Sequence, residues 1–143
     1  MAGPWLYTIS ARARRTFDVR GASIPVTTSS YQELVRNGRI VEDRLWSIVQ
    51  HWRHVEIRDE LFIYTGDHEL GIIGYATVNG VEERGGRWNL LPRFDLAKCR
   101  MLLQRPIPAA VVRQWVPYAR RNVIDLACFG NQLCALLPWS VTG

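Results

Sequence analysis

The chain has few cysteines, a single lysine and no long apolar run, and each shortage narrows what the protein can be. Cys99, Cys128 and Cys134 are odd in number and include no close CxxC pair, which argues against a disulfide framework and a zinc site. We therefore expect free thiols that are buried or partly buried. No apolar run approaches the length of a membrane span, and the N-terminus lacks a charged-then-apolar secretory pattern. These absences favour a cytoplasmic protein that does not bind a membrane.

Sequence signatures of common enzymes are also missing. There is no P-loop, no GxSxG elbow and no GxGxxG fingerprint. His51 and His54 have a spacing that could place two metal ligands on one helical face, but no third ligand has suitable spacing. His68, between Asp67 and Glu69, is more simply a residue of a turn. The sequence therefore predicts a non-catalytic protein without a metal ion or a cofactor.

Arginine supplies almost all of the positive charge. The net charge is +5 at pH 7, and Lys98 is the only lysine among 18 basic residues. Because arginine makes forked contacts with phosphate and stacks on bases, this excess favours an anionic partner such as nucleic acid. A genome rich in G and C would produce the same bias, so composition alone does not decide between the two explanations.

The apolar patterning of the 143 residues predicts one α+β domain over residues 1–143. The clearest element is a β-hairpin at 59–78, in which two β-prone apolar runs flank a polar turn and Gly80 ends the second strand. Ser30 and Glu33 have capping-box spacing for a helix at 30–38. The other predicted elements are a strand at 5–10, an exposed basic loop at 11–21, a helix or helical turns at 41–53, strands at 88–91 and 94–103, a helix at 109–115, and strands at 123–128 and 133–137. This order is typical of an α+β or mixed β-barrel domain.

Several segments, taken in order, resemble the EVE domain of the PUA-like superfamily, a relative of the YTH domain. The matching segments are WL at 5–6 (the opening strand), SYQELVRNGR at 30–39 (the first helix), DELFIYTGD at 59–67 with GIIGYATV at 71–78 (the central hairpin), LQRPIP at 103–108 (a Pro-led helix), and FGNQL at 129–133 (the closing hairpin turn). Where the family normally has a Gly-Asp pair before the hairpin strand, this chain has Arg58-Asp59.

The resemblance implies a PUA-like twisted mixed β-barrel of about five or six strands flanked by short helices. It also implies a pocket that accepts one extruded base of DNA or RNA, often a methylated one. In YTH domains a Trp-Ser dipeptide before the hairpin provides one aromatic wall, and Trp46-Ser47 stands in that region here, with Trp52 as the alternative wall. The strand that carries the second cage tryptophan in YTH domains is matched here by Phe94-Asp95-Leu96, so the resemblance implies a second wall that is aliphatic or absent.

Polar and basic residues complete the predicted site. Ser10 ends the predicted first strand, where EVE domains often place a small polar residue, and Asn131 offers both a donor and an acceptor to a base edge. The predicted phosphate contacts, close to Ser10 in sequence, are Arg12, Arg14 and Arg15. Together these residues predict a nucleic-acid-binding domain that recognises a flipped, modified base.

A protein-interaction module without a nucleic-acid ligand is the alternative. The chain has six tryptophans, more than a core of this size usually needs. Exposed tryptophans would then form a dimer or partner surface. Trp115 and Trp139 suit that role, because tryptophan is a frequent interface anchor. Salt separates the two functions, since counterion release weakens nucleic-acid binding as salt rises and an apolar interface responds little.

Overall fold

A mixed β-sheet organises the chain. The computed structural model describes residues 3–9, 16–19, 22–25, 27–40, 46–47, 54–66, 69–84, 86–117 and 123–139. The nine strands in this part of the chain are β1 (Trp5–Thr8), β2 (Thr16–Val19), β3 (Ala22–Pro25), β4 (Trp46–Ser47), β5 (Glu60–Thr65), β6 (Gly71–Arg84), β7 (Arg87–Phe94), β8 (Ile107–Pro108) and β9 (Val123–Asp125). The helices are α1 (Thr28–Arg36), α2 (Leu96–Gln104), α3 (Ala109–Trp115) and α4 (Gly130–Leu136), with a 3₁₀ turn at Ala127–Phe129. The α+β class is confirmed.

The main sheet has the strand order β4-β7-β6-β5-β1-β9, and β8 pairs with the start of β6, which also pairs with the end of β5. Strands β1 and β5 run parallel, while the other pairs are antiparallel. Strands β2 and β3 form a separate hairpin. Among the described strands, β4 and β9 end the order without pairing with each other, so this sheet is open.

Strand β5 is buried on both faces, as its continuous apolar run predicts. Leu61 and Ile63 pack into a first core that includes α1, whereas Phe62 and Tyr64 pack into a second core with α3 and α4. Tyr31 fixes α1 on the sheet, because its hydroxyl donates to the Ile73 carbonyl oxygen at 2.9 Å. The tyrosine can come this close because residue 74 is glycine, where a Cβ atom would lie 2.8 Å from the Tyr31 ring.

The predicted hairpin at 59–78 and the helix at 109–115 are confirmed, although the second hairpin strand is longer than predicted. Strand β6 continues past Gly80 to Arg84, with a register shift between Val78 and Gly80 that accommodates the glycine. Helix α1 also begins earlier than predicted. Its capping box joins Thr27 and Ser30, so the pairing expected between Ser30 and Glu33 is wrong.

Two predicted strands are helices instead. The segment 94–103 contributes only Phe94 to a strand and then forms α2, because the Asp95 side chain caps the helix by accepting from the Lys98 backbone N–H at 3.1 Å. Cys99 and Leu102, three residues apart, are the buried residues of this helix. The segment 133–137 lies mostly in α4, which buries Leu133 in the second core. The Gly130-Asn131 pair therefore begins a helix rather than a hairpin turn.

Four other expectations are corrected. Within 41–53, predicted to be helical, the described residues Trp46–Ser47 form strand β4, and the remainder lies outside the described residues. Within the basic loop at 11–21, Thr16–Val19 is a strand. The predicted strand at 123–128 ends at Asp125 and continues as a 3₁₀ turn. Cys99 is buried, and this burial raises the pKa of its thiol, but Cys128 and Cys134 are exposed.

Candidate nucleic-acid interface

The predicted aromatic wall lies on a terminal strand of the sheet. Strand β4 pairs with β7 in the register Trp46↔Leu90 and Ser47↔Asn89. Among the described strands, β7 is its only neighbour. Because β4 ends the order of the described strands, a ligand at its outer edge would displace none of those strands.

Most of the other predicted contacts cannot be placed relative to Trp46. Ser10, Trp52 and the three arginines Arg12, Arg14 and Arg15 lie outside the described residues. Asn131 is exposed on α4, which packs into the second core, whereas Leu90, the register partner of Trp46, belongs to the first. The structure therefore does not group Asn131 with β4.

The strand order also separates β4 from β1, which ends two residues before Ser10 in sequence. Three strands lie between them, giving four inter-strand steps. At roughly 4.8 Å per step, the two strands are about 19 Å apart along the sheet. A single base could contact both Trp46 and Ser10 only if the sheet coils strongly.

A tight turn at residues 55–59, which we call the 55–59 turn, leads into β5 and is held by hydrogen bonds to β1 and β6. The Asp59 side chain is only 4% exposed. Its Oδ2 atom accepts from the Trp5 indole N–H at 2.9 Å and from the Glu56 backbone N–H at 2.8 Å. The backbone N–H of Arg58 donates to the Val78 carbonyl oxygen at 2.7 Å, and the Val78 N–H donates back to the Asp59 carbonyl oxygen at 2.9 Å. These bonds fix the turn between β1 and β6.

Arg58 has a φ angle of +77°, in the left-handed region that favours glycine. Replacing Arg58 with glycine should therefore raise the free energy of unfolding by about 0.5–1 kcal/mol, after allowing for the greater freedom of glycine in the unfolded chain. Urea denaturation measures the change. Arg36→Gly is the matched control. It should lower the free energy of unfolding by up to about 1 kcal/mol, because Arg36 is an exposed residue of α1 with helical geometry. If Arg58→Gly is destabilising as well, the turn is not strained.

A second feature is an open cleft of about 390 Å³ on the side of the second core, lined by Tyr75, Thr77, Arg93, Phe94, Asp95 and Lys98. The Lys98 Nζ atom lies 4.6 Å from the centroid of the Tyr75 ring and 5.0 Å from that of the Trp139 ring. Tyr75 and Trp139 meet edge to face, with centroids 5.3 Å apart. The only lysine of the chain is thus held by two aromatic rings, an arrangement that stabilises a cation.

The two carboxylates nearest this cleft have partners. The Tyr75 hydroxyl donates to Glu60 Oε2 at 2.8 Å, and burial together with this carboxylate raises the pKa of the phenol, which stays protonated at physiological pH. Asp95 Oδ1 caps α2. The cleft is therefore lined by a neutral phenol, the Thr77 hydroxyl, the Asp95 carboxylate and the cationic side chains of Arg93 and Lys98.

Sequence reasoning missed the cleft because it assigned Lys98 to a strand. Only helix α2 brings Lys98 over Tyr75 on β6 and over Trp139, which follows α4. The one signal in the sequence was Asp95, a good helix N-cap three residues before Lys98. The contact with Trp139 depends on tertiary packing and has no local signature.

The tryptophans expected to anchor a protein partner are packed against the domain instead. The Trp115 ring stacks on Phe129, with centroids 5.8 Å apart and an interplanar angle of 14°. Trp139 packs against Tyr75, and both tryptophans are partly buried against the second core. The alternative function therefore loses the exposed anchors on which it depended.

Of the three histidines, His54 alone is described, and it is exposed. In the described ranges, no group of three or more His, Cys, Asp or Glu side chains could hold a metal ion. Across those same ranges, the search for helices able to cross a membrane found none.

Comparisons with protein-family models, with curated proteins and with solved structures found no match to this chain.

Proposed function

We propose that this chain is a non-catalytic nucleic-acid-binding domain of the EVE type that recognises one extruded, modified base of DNA or RNA. The proposal rests above all on the terminal position of Trp46-Ser47 in the sheet. Extruding a base costs a few kcal/mol, and stacking on an aromatic side chain recovers about 1–3 kcal/mol. An indole on a strand that ends the order of the described strands is therefore a suitable platform.

The proposed architecture is the twisted PUA-like barrel. Adjacent strands of a sheet rotate by roughly 20–25°, so the five steps from β4 to β9 turn the terminal strands by roughly 100–125° relative to each other. Twist alone leaves a sheet open, so the proposal requires that the strands also coil, which would bring the region of Trp46 closer to β1 and hence to Ser10.

The distribution of arginine supports a nucleic-acid partner. Every arginine whose side chain the structure describes is exposed, namely Arg36, Arg39, Arg58, Arg93, Arg100, Arg105 and Arg113. An exposed guanidinium can contact phosphate without first breaking a buried interaction. In this proposal Arg12, Arg14, Arg15 and Arg58 provide the sequence-independent part of binding. The platform at Trp46 stacks the extruded base, and polar groups on the Watson–Crick edge set its identity.

Replacing Arg14 and Arg15 together with alanine should weaken binding to every oligonucleotide and reduce the salt dependence of the affinity. Each phosphate contact contributes about 0.9 to the slope of log K against log salt on a duplex, so two lost contacts reduce that slope by about 1.8. Fluorescence anisotropy at several salt concentrations measures this slope.

The matched control is the pair Arg36→Ala and Arg105→Ala, two exposed arginines at α1 and just after α2. This double variant has the same net charge as the Arg14/Arg15 variant, so it removes the general effect of charge. If both double variants change the slope equally, residues 14 and 15 make no specific phosphate contact.

A further inference from the structure

We infer that the 55–59 turn is a rigid finger that inserts Ile57 into the base stack of a nucleic-acid duplex while Arg58 contacts the neighbouring phosphate. The inference rests on the proposed function and deepens it, because it names the element that would open the stack beside the extruded base. The ligand class is double-stranded nucleic acid with a base pair that can be partly unstacked.

The finger begins with an exposed apolar side chain. Ile57 is 61% exposed, more than Leu136 at 46% or Met101 at 40%, the other large apolar side chains exposed in the described part of the chain. A single exposed apolar residue is common on protein surfaces. The hydrogen-bonded turn that carries Ile57 distinguishes it from Leu136 and Met101.

Hydrogen bonds hold the backbone on both sides of Ile57. The residue before it, Glu56, donates its backbone N–H to the buried Asp59 carboxylate, which also holds the Trp5 indole. The residue after it, Arg58, is bonded through its backbone to Val78. Nearby, Val55 is buried in the first core. Because these hydrogen bonds already hold the turn in one conformation, the entropic cost of ordering it on ligand binding is small.

Arg58 provides the second observation. A non-glycine residue with φ of +77° stores strain, and strained residues concentrate where a side chain has a function. Arginine is the side chain best suited to phosphate, and Arg58 is exposed beside Ile57. Apolar wedges next to basic residues are a known means of unstacking a base step. The Ile57-Arg58 pair has the chemistry of such a wedge.

The location of the turn agrees with this role. Arg58 is bonded to Val78 of β6, and Val78 is paired with Pro92 of β7. Two residues along β7, Leu90 pairs with Trp46 of β4. Three inter-strand steps of roughly 4.8 Å, about 14 Å across the strands, and the offset of two residues along β7 thus separate the finger from the proposed base platform. The turn is hydrogen-bonded to β6 and β4 pairs with β7, so two adjacent strands connect the finger to the platform.

The test uses duplexes of DNA and of RNA with one sequence, each containing an N6-methyladenine beside a 2-aminopurine, together with the corresponding single strands. A second set replaces N6-methyladenine with 5-methylcytosine. The 2-aminopurine fluoresces more strongly when it is unstacked. On binding of the unaltered protein we expect fluorescence of at least one duplex to rise. With Ile57→Ser we expect the rise to disappear and duplex affinity to fall about tenfold, whereas affinity for the single strand changes less than twofold.

Ile57→Leu should retain the signal, because it keeps an apolar wedge of equal size. Leu136→Ser and Met101→Ser are matched controls that remove an exposed apolar side chain elsewhere, and they should leave fluorescence and affinity unchanged. Since Ile57 is exposed, the serine variant should also keep its melting temperature. These controls distinguish a wedge from a general loss of apolar surface.

The inference is overturned, and the proposed function survives, if Ile57→Ser binds the duplex with the full fluorescence rise. It is also overturned if the variant loses affinity for the duplex and for the single strand by the same factor, because Ile57 would then be an ordinary contact and not a wedge. If the unaltered protein binds none of these nucleic acids, both the proposed function and the role of the 55–59 turn as a wedge are wrong. A change in self-association with Ile57→Ser in that case would assign the turn to a protein interface.

Discussion

Replacing Gly71 with alanine is expected to lower the free energy of unfolding by about 3 kcal/mol or more, the largest effect on stability that we expect from a single methyl group. Gly71 begins β6 with φ of +112°, a conformation that side chains with a Cβ atom rarely adopt. The added Cβ would overlap the Ile107 carbonyl oxygen and lie 2.6 Å from the Ala109 backbone nitrogen. Both atoms are backbone, so no side-chain rotation can relieve the overlap.

The affected backbone joins three elements. Gly71 pairs with Pro108 of β8, and α3 begins at Ala109. Moving this segment away from β6 would disturb α3 and the second core, to which Ile107 and Val112 belong. Urea denaturation with Gly130→Ala as control measures the effect. Gly130 has helical φ and open space around its Cα, so its variant should be neutral or slightly stabilised. A loss below about 1 kcal/mol for Gly71→Ala would contradict the close approach of β6 to β8.

Replacing Trp46 with alanine should weaken binding of the preferred base by about 1–3 kcal/mol, which is roughly a five- to 150-fold loss of affinity. The cause is the loss of the stacking platform. Because the indole carries no charge, the slope of affinity against salt should stay unchanged. The two readouts together separate a base contact from a phosphate contact, for which the slope would fall.

Three variants make this result specific. Trp46→Phe keeps an aromatic ring and should recover part of the affinity. Trp115→Ala removes an indole that stacks on Phe129, so it should lower stability and leave base preference intact. Trp52→Ala tests the alternative wall. A folded Trp46→Ala protein with normal binding would exclude Trp46 as the platform, and a loss with Trp52→Ala would then transfer that role to Trp52.

The elements that could be predicted from sequence are those with strong local patterns. The hairpin of β5 and β6 has apolar β-prone runs on either side of a polar turn, and α3 follows the proline at 108. The segment 94–103 has an equally readable helix start at Asp95, followed by Cys99 and Leu102 at helical spacing. Its high apolar content favours a strand, but the cap and the spacing favour the helix that forms.

Other features depend on contacts between distant segments. Strand β4 is two residues long and exists through its pairing with β7, more than 40 residues further along the chain. No local pattern could specify it, and helical spacing in 41–53 was the stronger signal. The difference from the family pattern at Arg58 is visible in the sequence. That Arg58 occupies a left-handed conformation, and that Asp59 is buried under Trp5, can be learned only from the folded chain.

The central claim is most directly tested by measuring dissociation constants for a panel of DNA and RNA oligonucleotides that differ in one base, unmodified or methylated. The panel is measured with the unaltered chain and with Trp46→Ala. We predict binding that weakens as salt rises, tighter binding of one modified base than of its unmodified counterpart, and loss of that preference in the variant. Absence of measurable binding to every oligonucleotide at low salt would contradict the account.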